Sequence, residues 1–418
     1  MRATILGFGL IMAMTTSAHA GGCNVALKNA HVWDGATYVV KTLYVRDGKF
    51  ATEDATLPVT DASALFLNPP FADAHTHTLE YPTGPDDARH KRSLKEGVFY
   101  ALNPNNIRPA GMTPTADTGA VEVQAAGGGV TRPGGHPQPL YTFLAKQDFL
   151  APLTVADLPG KAFHAATTPD ETRQAVRTVK ANGAIVIKLY LLNHDKGSLS
   201  DGLTAENFQI AVAQSKALGL RPIVHIESAA DFKLAVRAGV YAIMHAPYAA
   251  PKGLLKAANY MLTAADVALA AETGVIVVPT VTVSLMNYDG AKLAAVRAIQ
   301  QHNLTLLRDA KVKLAIGADN YSLSMHDEIN TIRSFALFEA ADIINMATTN
   351  GATLAFPDRK VGRLALGYEA SFIGYFFPLA GNWASQREPI VGMRAGEPMI
   401  DTIGFFGKTC TSLSPKPR

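Results

Sequence analysis

Short apolar segments and turn dipeptides alternate along residues 24–68. Val25-Ala26-Leu27 and Leu43-Tyr44-Val45 are separated by Asp34-Gly35 and Asp47-Gly48, the pattern of small antiparallel strands joined by tight turns. The other end of the chain repeats it from Val361 to about Ile403, with Leu364-Ala365-Leu366-Gly367, Ser371-Phe372-Ile373-Gly374-Tyr375 and Pro389-Ile390-Val391-Gly392. Two ends with one texture predict a small β-sandwich built from both. Between them, short apolar runs alternate with Ala/Leu-rich amphipathic stretches, the pattern of repeated βα units and a parallel sheet. Eight strand candidates end near His77, Asn103, Pro133, Tyr190, His225, His245, Thr280 and Asp319, and helices fit the intervals, among them Ala205 to Leu218 and Ala229 to Ala238. Eight such strands predict an α/β fold, a closed (β/α)8 TIM barrel, over an open doubly wound sheet. The organisation expected is residues 1–20 as a targeting segment, 21–68 and 359–418 as the two parts of the sandwich, and 69–358 as the barrel. A Pro/Asn/Thr-rich stretch from Asn103 to Val121 reads as a long loop over the barrel mouth.

Composition adds little to this but excludes something. With 48% hydrophobic and 17% charged residues, the 418-residue chain has ample material for a large core, and a net charge of +3 without a basic block argues against nucleic acid as a partner. The first residues change the picture more. Arg2, an apolar run from Ile5 to Met14 and the small-residue end Ala18-His19-Ala20 predict a signal peptide cleaved after Ala20, hence a periplasmic or secreted protein without stable membrane insertion. A lipid anchor on Cys23 is the competing reading, and Ala20-Gly21-Gly22 lacks the large aliphatic residue such sites carry. The chain has two cysteines, Cys23 and Cys410. An oxidising compartment permits them to pair, and two separate thiols are equally compatible with the sequence.

Chemistry in such barrels sits at the carboxyl ends of the strands, so the polar residues that interrupt apolar runs there are the candidates. In Phe71-Ala72-Asp73-Ala74-His75-Thr76-His77, strand periodicity places Asp73, His75 and His77 on one face. The fourth strand, Ala184 to Tyr190, carries Lys188 inside an otherwise apolar run. A buried ammonium must lose its charge, find a carboxylate or be modified. The fifth and sixth strands end in His225 and His245, and the eighth ends in Asp319 behind the small residues Ala315 and Gly317. Each of these residues has a plain structural reading as well, as a satisfied core histidine or an ion pair across the barrel. Gly127-Gly128-Gly129 lacks the lysine and hydroxyl of a phosphate loop and reads as a turn.

Taken together and in order, these residues resemble the binuclear amidohydrolase superfamily: His-x-His after the first strand, lysine in the fourth, histidines after the fifth and sixth, aspartate after the eighth. Val224-His225 through Ala238-Gly239-Val240 to His245-Ala246, with Gly351-Ala352-Thr353-Leu354-Ala355, Val361-Gly362-Arg363-Leu364 and Gly367-Tyr368-Glu369-Ala370, is similar to the imidazolonepropionase-like branch. Gly134-Gly135-His136-Pro137 resembles a Gly-Gly-His of related prolidase-like dipeptidases. Ser371-Phe372-Ile373 stands where relatives usually carry Asp-Leu-Val, away from the site. The resemblance implies two divalent metal ions, zinc first with manganese or cobalt as alternatives. His75, His77 and Asp319 would hold the more buried ion and His225 and His245 the more exposed one. A carbon dioxide-derived carbamate on Lys188, together with a hydroxide, would bridge them. It makes Asp319 the group that accepts the proton of the attacking water. His136, Tyr190 and His326, the last in a loop after the eighth strand, become candidates for contact with a small-molecule substrate.

The function implied is an exported hydrolase of an amide, peptide-like or cyclic, with export tilting the expectation toward a peptide-like substrate. A mononuclear deaminase is the alternative that Lys188 argues against. Lactone or phosphotriester hydrolysis, and a non-catalytic periplasmic metal-binding protein, are further alternatives. Assembly as a homo-oligomer is left open.

Overall fold

A computed structural model describes residues 22–79, 87–107, 119–192, 201–248, 256–381, 383, 386–407 and 409–410. The expected signal peptide and most of the loop expected between Asn103 and Val121 lie outside the described residues.

The two chain ends do build one sheet. Its strands run in the order Glu397–Asp401, Val391–Arg394, Phe372–Tyr375, Phe66–Asn68, Val25–Trp33, Tyr38–Arg46, Lys49–Ala51, and Val59–Asp61 adds an eighth strand beside Val25–Trp33. The long hairpin between Val25–Trp33 and Tyr38–Arg46 pairs antiparallel from Val25 opposite Val45 to Trp33 opposite Tyr38. Asp34 turns this hairpin by accepting from the amides of Ala36 and Thr37 at 2.9 Å. Strand 66–68 receives the C-terminal half of the sheet, with Ile373 opposite Asn68. The inner faces of Val25, Leu27, Val32, Leu67, Phe372 and Met393 make a separate apolar core. Cys23 and Cys410 are joined in a disulfide across a sequence separation of 387, which ties the two ends of the described chain together.

The middle of the chain is parallel. Six strands run in the order Phe163–Ala165, Gly129–Thr131, Val186–Tyr190, Arg221–His225, Ala242–Met244, Ile276–Val278, and three more in the order Phe71–Asp73, Val98–Asn103, Glu122–Ala125. Every pairing within both sheets is parallel. The two sheets touch through a bridge of Ala126 with Val186. At the other side Val277 bridges Leu314, and Ala74 N donates to Ile316 O at 2.8 Å. The intervening helices are well signalled: Thr168 and Glu171 form a capping box before Pro169–Ala181, while Ser228 caps Ala229–Ala238, which ends on Gly239 in the left-handed region at φ 70°.

Two strand expectations need correction. The third expected strand divides into Glu122–Ala125 and Gly129–Thr131, and the second of these pairs with Phe163–Ala165, a strand the apolar pattern did not single out. Glycine is the reason: a Cβ on Gly128 would lie 2.2 Å from Lys161 O, and one on Gly129 would lie 2.3 Å from the Tyr190 ring. The eighth expected strand, 313–319, makes only isolated ladder contacts. A Cβ on Gly317 would lie 2.4 Å from His75 N, and Asp319 takes φ 49°, so the segment presses against the first strand's end and turns out of extended geometry. Arg359 joins the two regions, pairing with Glu122 on the parallel side and with Glu369, to which its Nε donates at 2.8 Å, beside the terminal sheet.

Candidate metal centre

The site forms where the parallel strands stop. His75 follows the Phe71–Asp73 strand by two residues, Lys188 lies inside Val186–Tyr190, His225 ends Arg221–His225, and His245 follows Ala242–Met244 directly. The strand registers set Lys188 opposite Ile223, and Tyr190 opposite His225. Asp319 is the hub. Its Oδ1 lies 2.8 Å from His75 Nε2 and 3.2 Å from His77 Nε2, and its Oδ2 lies 3.5 Å from His245 Nδ1. His245 Nε2 in turn faces His225 Nδ1 at 2.7 Å. Thus all four predicted imidazoles and the predicted carboxylate come together, with His75, His245 and Asp319 presenting donor atoms within 4.8 Å of one another.

Asp73 does not share this face. The strand ends at Asp73, and its Oδ1 accepts from His75 N at 3.1 Å and Ala318 N at 3.2 Å, bracing the backbone under the histidines instead of pointing with them. Burial raises this carboxyl to about 7 against those two hydrogen bonds. His75 and His77 therefore converge through the turn that follows the strand, not through strand periodicity.

Burial dominates the electrostatics. It lowers the Lys188 ammonium to about 7, with Asp319 opposing the shift, and the lysine is only 2% exposed. Burial likewise lowers His75 to about 4 and takes His225 and His245 well below the ordinary histidine range, which disfavours the charged imidazolium and favours the lone pair that a cation needs. For Asp319 burial acts upward, yet His75, His245 and His77 turned toward its oxygens hold it well below the usual carboxylate range. Buried Nδ1 of His75 and Nε2 of His225 have no hydrogen-bond partner among the described residues. This donor set, neutral nitrogens around an ionised carboxylate with a buried lysine alongside, fits a divalent cation of the zinc class.

Three residues here adopt left-handed backbone without being glycine: His245 at φ 106°, Thr280 at φ 48° and Asp319 at φ 49°. His245 links them, since its Nδ1 lies 2.6 Å from Thr280 Oγ1 and 3.5 Å from Asp319 Oδ2, while Asp319 N donates to His75 O at 2.7 Å. Sequence reasoning placed Thr280 at the end of the seventh strand but gave it no role in the site; its only signal is a hydroxyl two residues past the apolar strand Ile276–Val278. It also missed Glu227, a buried carboxylate two residues past His225 with Oε1 4.0 Å from His225 Nε2.

Of the residues expected at the substrate, His136 stacks on His225 with ring centroids 4.6 Å apart and meets the Tyr190 ring edge-on at 5.2 Å. Burial lowers His136 to about 3. Tyr190 donates to Asn105 Oδ1 at 3.1 Å, which fixes its ring beside His225. His326 is not in a mouth loop. It lies buried in the helix Met325–Arg333, with Nε2 3.2 Å from Glu96 O and its ring edge-on to Phe71, the first residue of its strand.

The amidohydrolase family profile matches residues 67–398, a span that includes every residue of this centre. The chain belongs to the amidohydrolase family. It is therefore a hydrolytic enzyme by family, and among the described residues of this amidohydrolase no helix is long and apolar enough to cross a membrane. No curated protein sequence matches it. Among solved structures it is similar to an amidohydrolase at 19% identity and a TM-score of 0.70, covering 91% of this chain and 100% of the other. A Xaa-Pro dipeptidase with bound methionine matches at 18% identity and 0.68, covering 90% and 99%. The A. niger ochratoxinase matches at 17% identity and 0.70, covering 93% and 99%. At these identities the likeness speaks for the fold of this amidohydrolase.

Proposed function

We propose that this chain is an exported, binuclear metal-dependent hydrolase that cleaves an amide bond in a small peptide-like or cyclic amide. The observation that carries the reading is the convergence of His75, His77, His225, His245 and Asp319 beside a buried lysine whose charge burial has weakened. A neutral Lys188 amine can add carbon dioxide, forming an N–C bond and releasing one proton to solvent. The resulting carbamate has two oxygens, enough to serve two cations. His75, His77 and Asp319 would hold one, His225 and His245 the other. Two divalent cations, when bound, supply Lewis-acid activation of water and of the scissile carbonyl.

The remaining work belongs to side chains. Asp319, kept ionised, accepts a proton at its carboxylate and returns it to the leaving nitrogen. His136, stacked on His225, and Tyr190, tilted beside it, would flank the place where the carbonyl sits. The Lys188 environment favours this over a one-metal deaminase. Closure of the two parallel sheets and residues 313–319 into an eight-stranded barrel, with the terminal sheet folded as a sandwich, is part of the same reading, supported by the Ala126–Val186 and Val277–Leu314 bridges. Export is supported by the Cys23–Cys410 disulfide, which suits an oxidising compartment.

The test is a metal analysis of purified protein combined with a screen of dipeptides, N-acyl amino acids and cyclic amides. About two metal equivalents per chain and hydrolysis of one amide class are expected. In Asp319→Asn, which cannot take up the proton, turnover should fall about 10²- to 10⁴-fold. Less than one metal bound, with no amide cleaved after metal is added back, would overturn the proposal.

A further inference from the structure

After the Gly129–Thr131 strand the chain passes His136 and makes an excursion before it returns as the Phe163–Ala165 strand. This excursion contains the helix Gln138–Lys146 and has a small core of its own, in which Tyr141, Leu150, Leu158 and Phe163 are buried. Phe149 belongs to the excursion but not to that core: it is 55% exposed. Phe149 shares this exposure with other surface side chains such as Phe143 and Phe377, and what distinguishes it is its neighbours. Its position shows which partner is in reach. Phe149 meets Tyr321 edge-on, with ring centroids 4.9 Å apart at an interplanar angle of 74°. Tyr321 lies two residues past Asp319, and its ring is 5.9 Å from that of His77. His77 Nε2 is itself 3.2 Å from Asp319 Oδ1. An aromatic path therefore runs from the imidazole–carboxylate centre outward to a half-exposed phenyl ring.

On the His225 flank of the centre, Tyr190 and His136 pack against His225, and the Tyr190 hydroxyl is held by Asn105. A substrate with its amide at the centre would leave an apolar side group to the rings on the His77 flank.

We propose that Phe149 and Tyr321 form a specificity subsite that receives an aromatic or large aliphatic side group of the substrate, next to the scissile amide on the His77 side. This rests on the amide-hydrolase reading above. The two rings touch the substrate's side group and not its reacting atoms, so they determine which amide is cleaved and leave the chemistry to the centre.

The experiment compares phenylalanyl with glycyl substrates, once with the residue on the acyl side of the amide and once on the amine side, for wild type, Phe149→Ala and Phe149→Trp. In one of the two arrangements the wild type should favour phenylalanyl, and Phe149→Ala should lose about tenfold in kcat/KM on it, the size of one aromatic contact with its buried area. Glycyl kcat/KM should fall much less in the same variant, so that the phenylalanyl-to-glycyl ratio reads the subsite, and an unchanged thermal transition shows that the fold is intact. Phe149→Trp should retain the preference. The same pairs are titrated calorimetrically against the proteins, so that the subsite is read as a ratio of Kd values even if no amide is hydrolysed. A preference in binding without hydrolysis would sink the function and keep the subsite. Equal behaviour of phenylalanyl and glycyl ligands in wild type, or a preference that Phe149→Ala leaves intact, overturns the subsite.

Discussion

The terminal sheet and the rim of the parallel strands are both buried, but they bury different things. Under the terminal sheet lie Val25, Leu27, Val32, Leu67 and Phe372, each with no exposed surface. Polar groups there are mostly matched: Ser371 Oγ accepts from Tyr100 at 2.9 Å and from Ala395 N at 2.8 Å, while the Tyr375 hydroxyl stays unpartnered among the described residues. At the rim, by contrast, four histidines, a lysine and an aspartate crowd together, with His245, Thr280 and Asp319 in left-handed backbone; in the terminal sheet the left-handed residues Asn29, Asp47 and Ala395 serve a bulge and two hairpin turns. Left-handed backbone therefore occurs in both regions, and what sets the rim apart is that it sits among buried ionisable groups, the combination that marks a functional site.

Lys188→Ala should separate the two regions most sharply. It removes the amine on which the carbamate would form, and turnover should fall about 10³-fold or more, the several kcal/mol that metal activation contributes. Bound metal measured by plasma mass spectrometry should drop in parallel, and added short carboxylic acids should restore part of the activity. The thermal transition of the terminal sheet should persist. Wild-type metal content and turnover in this variant would end the carbamate reading.

Much of this contrast was legible beforehand. Apolar runs ending in His225, His245 and, two residues past a buried lysine, Tyr190 point to one rim because a parallel sheet brings all strand ends to the same side. What could not be read is the geometry after the strands end. His75 and His77 reach Asp319 through a turn, and Asp319 reaches them by turning left-handed. Aspartate tolerates that conformation, so nothing in the residue type announces it. Thr280 is harder still, since a β-branched residue at φ 48° is contrary to local preference and is held by its surroundings. His326 was misplaced because a His seven residues past a strand end looks like loop, whereas Ser324 and Asp327 cap a helix around it. The split third strand depends on how closely Gly128 and Gly129 approach Lys161 and Tyr190, a long-range fact.

The reverse experiment uses the terminal sheet. Phe372 is fully buried there, and Phe372→Ala should cost about 3–5 kcal/mol of stability in denaturant titration. Metal content and kcat at 25 °C should match wild type, because that core is a cluster separate from the one under the parallel strands. A fall in bound metal comparable to that of Lys188→Ala would show that the two regions are not energetically separate.

The smallest change tests the rim from within. Thr280 Oγ1 lies 2.6 Å from His245 Nδ1, and Asp319 Oδ2 lies 3.5 Å from the same nitrogen. With two oxygens on that side, the proton of the neutral imidazole belongs on Nδ1, which leaves the lone pair on Nε2, the nitrogen facing His225. Thr280→Val keeps the branched shape and the backbone preference but takes the nearer oxygen away. The imidazole then depends on the longer contact with Asp319, its orientation loosens, and metal affinity and kcat should each fall about 10- to 100-fold, as when an outer partner of a ligand histidine is lost. KM should move little, since Thr280 is buried and out of a substrate's reach. Thr280→Ser, which restores the hydroxyl without the methyl group, should recover most of both. The measurement is chelator competition for metal beside kcat on one amide; a valine variant that matches wild type in both would show that Thr280 is only packing, and that the strain at φ 48° serves the backbone alone.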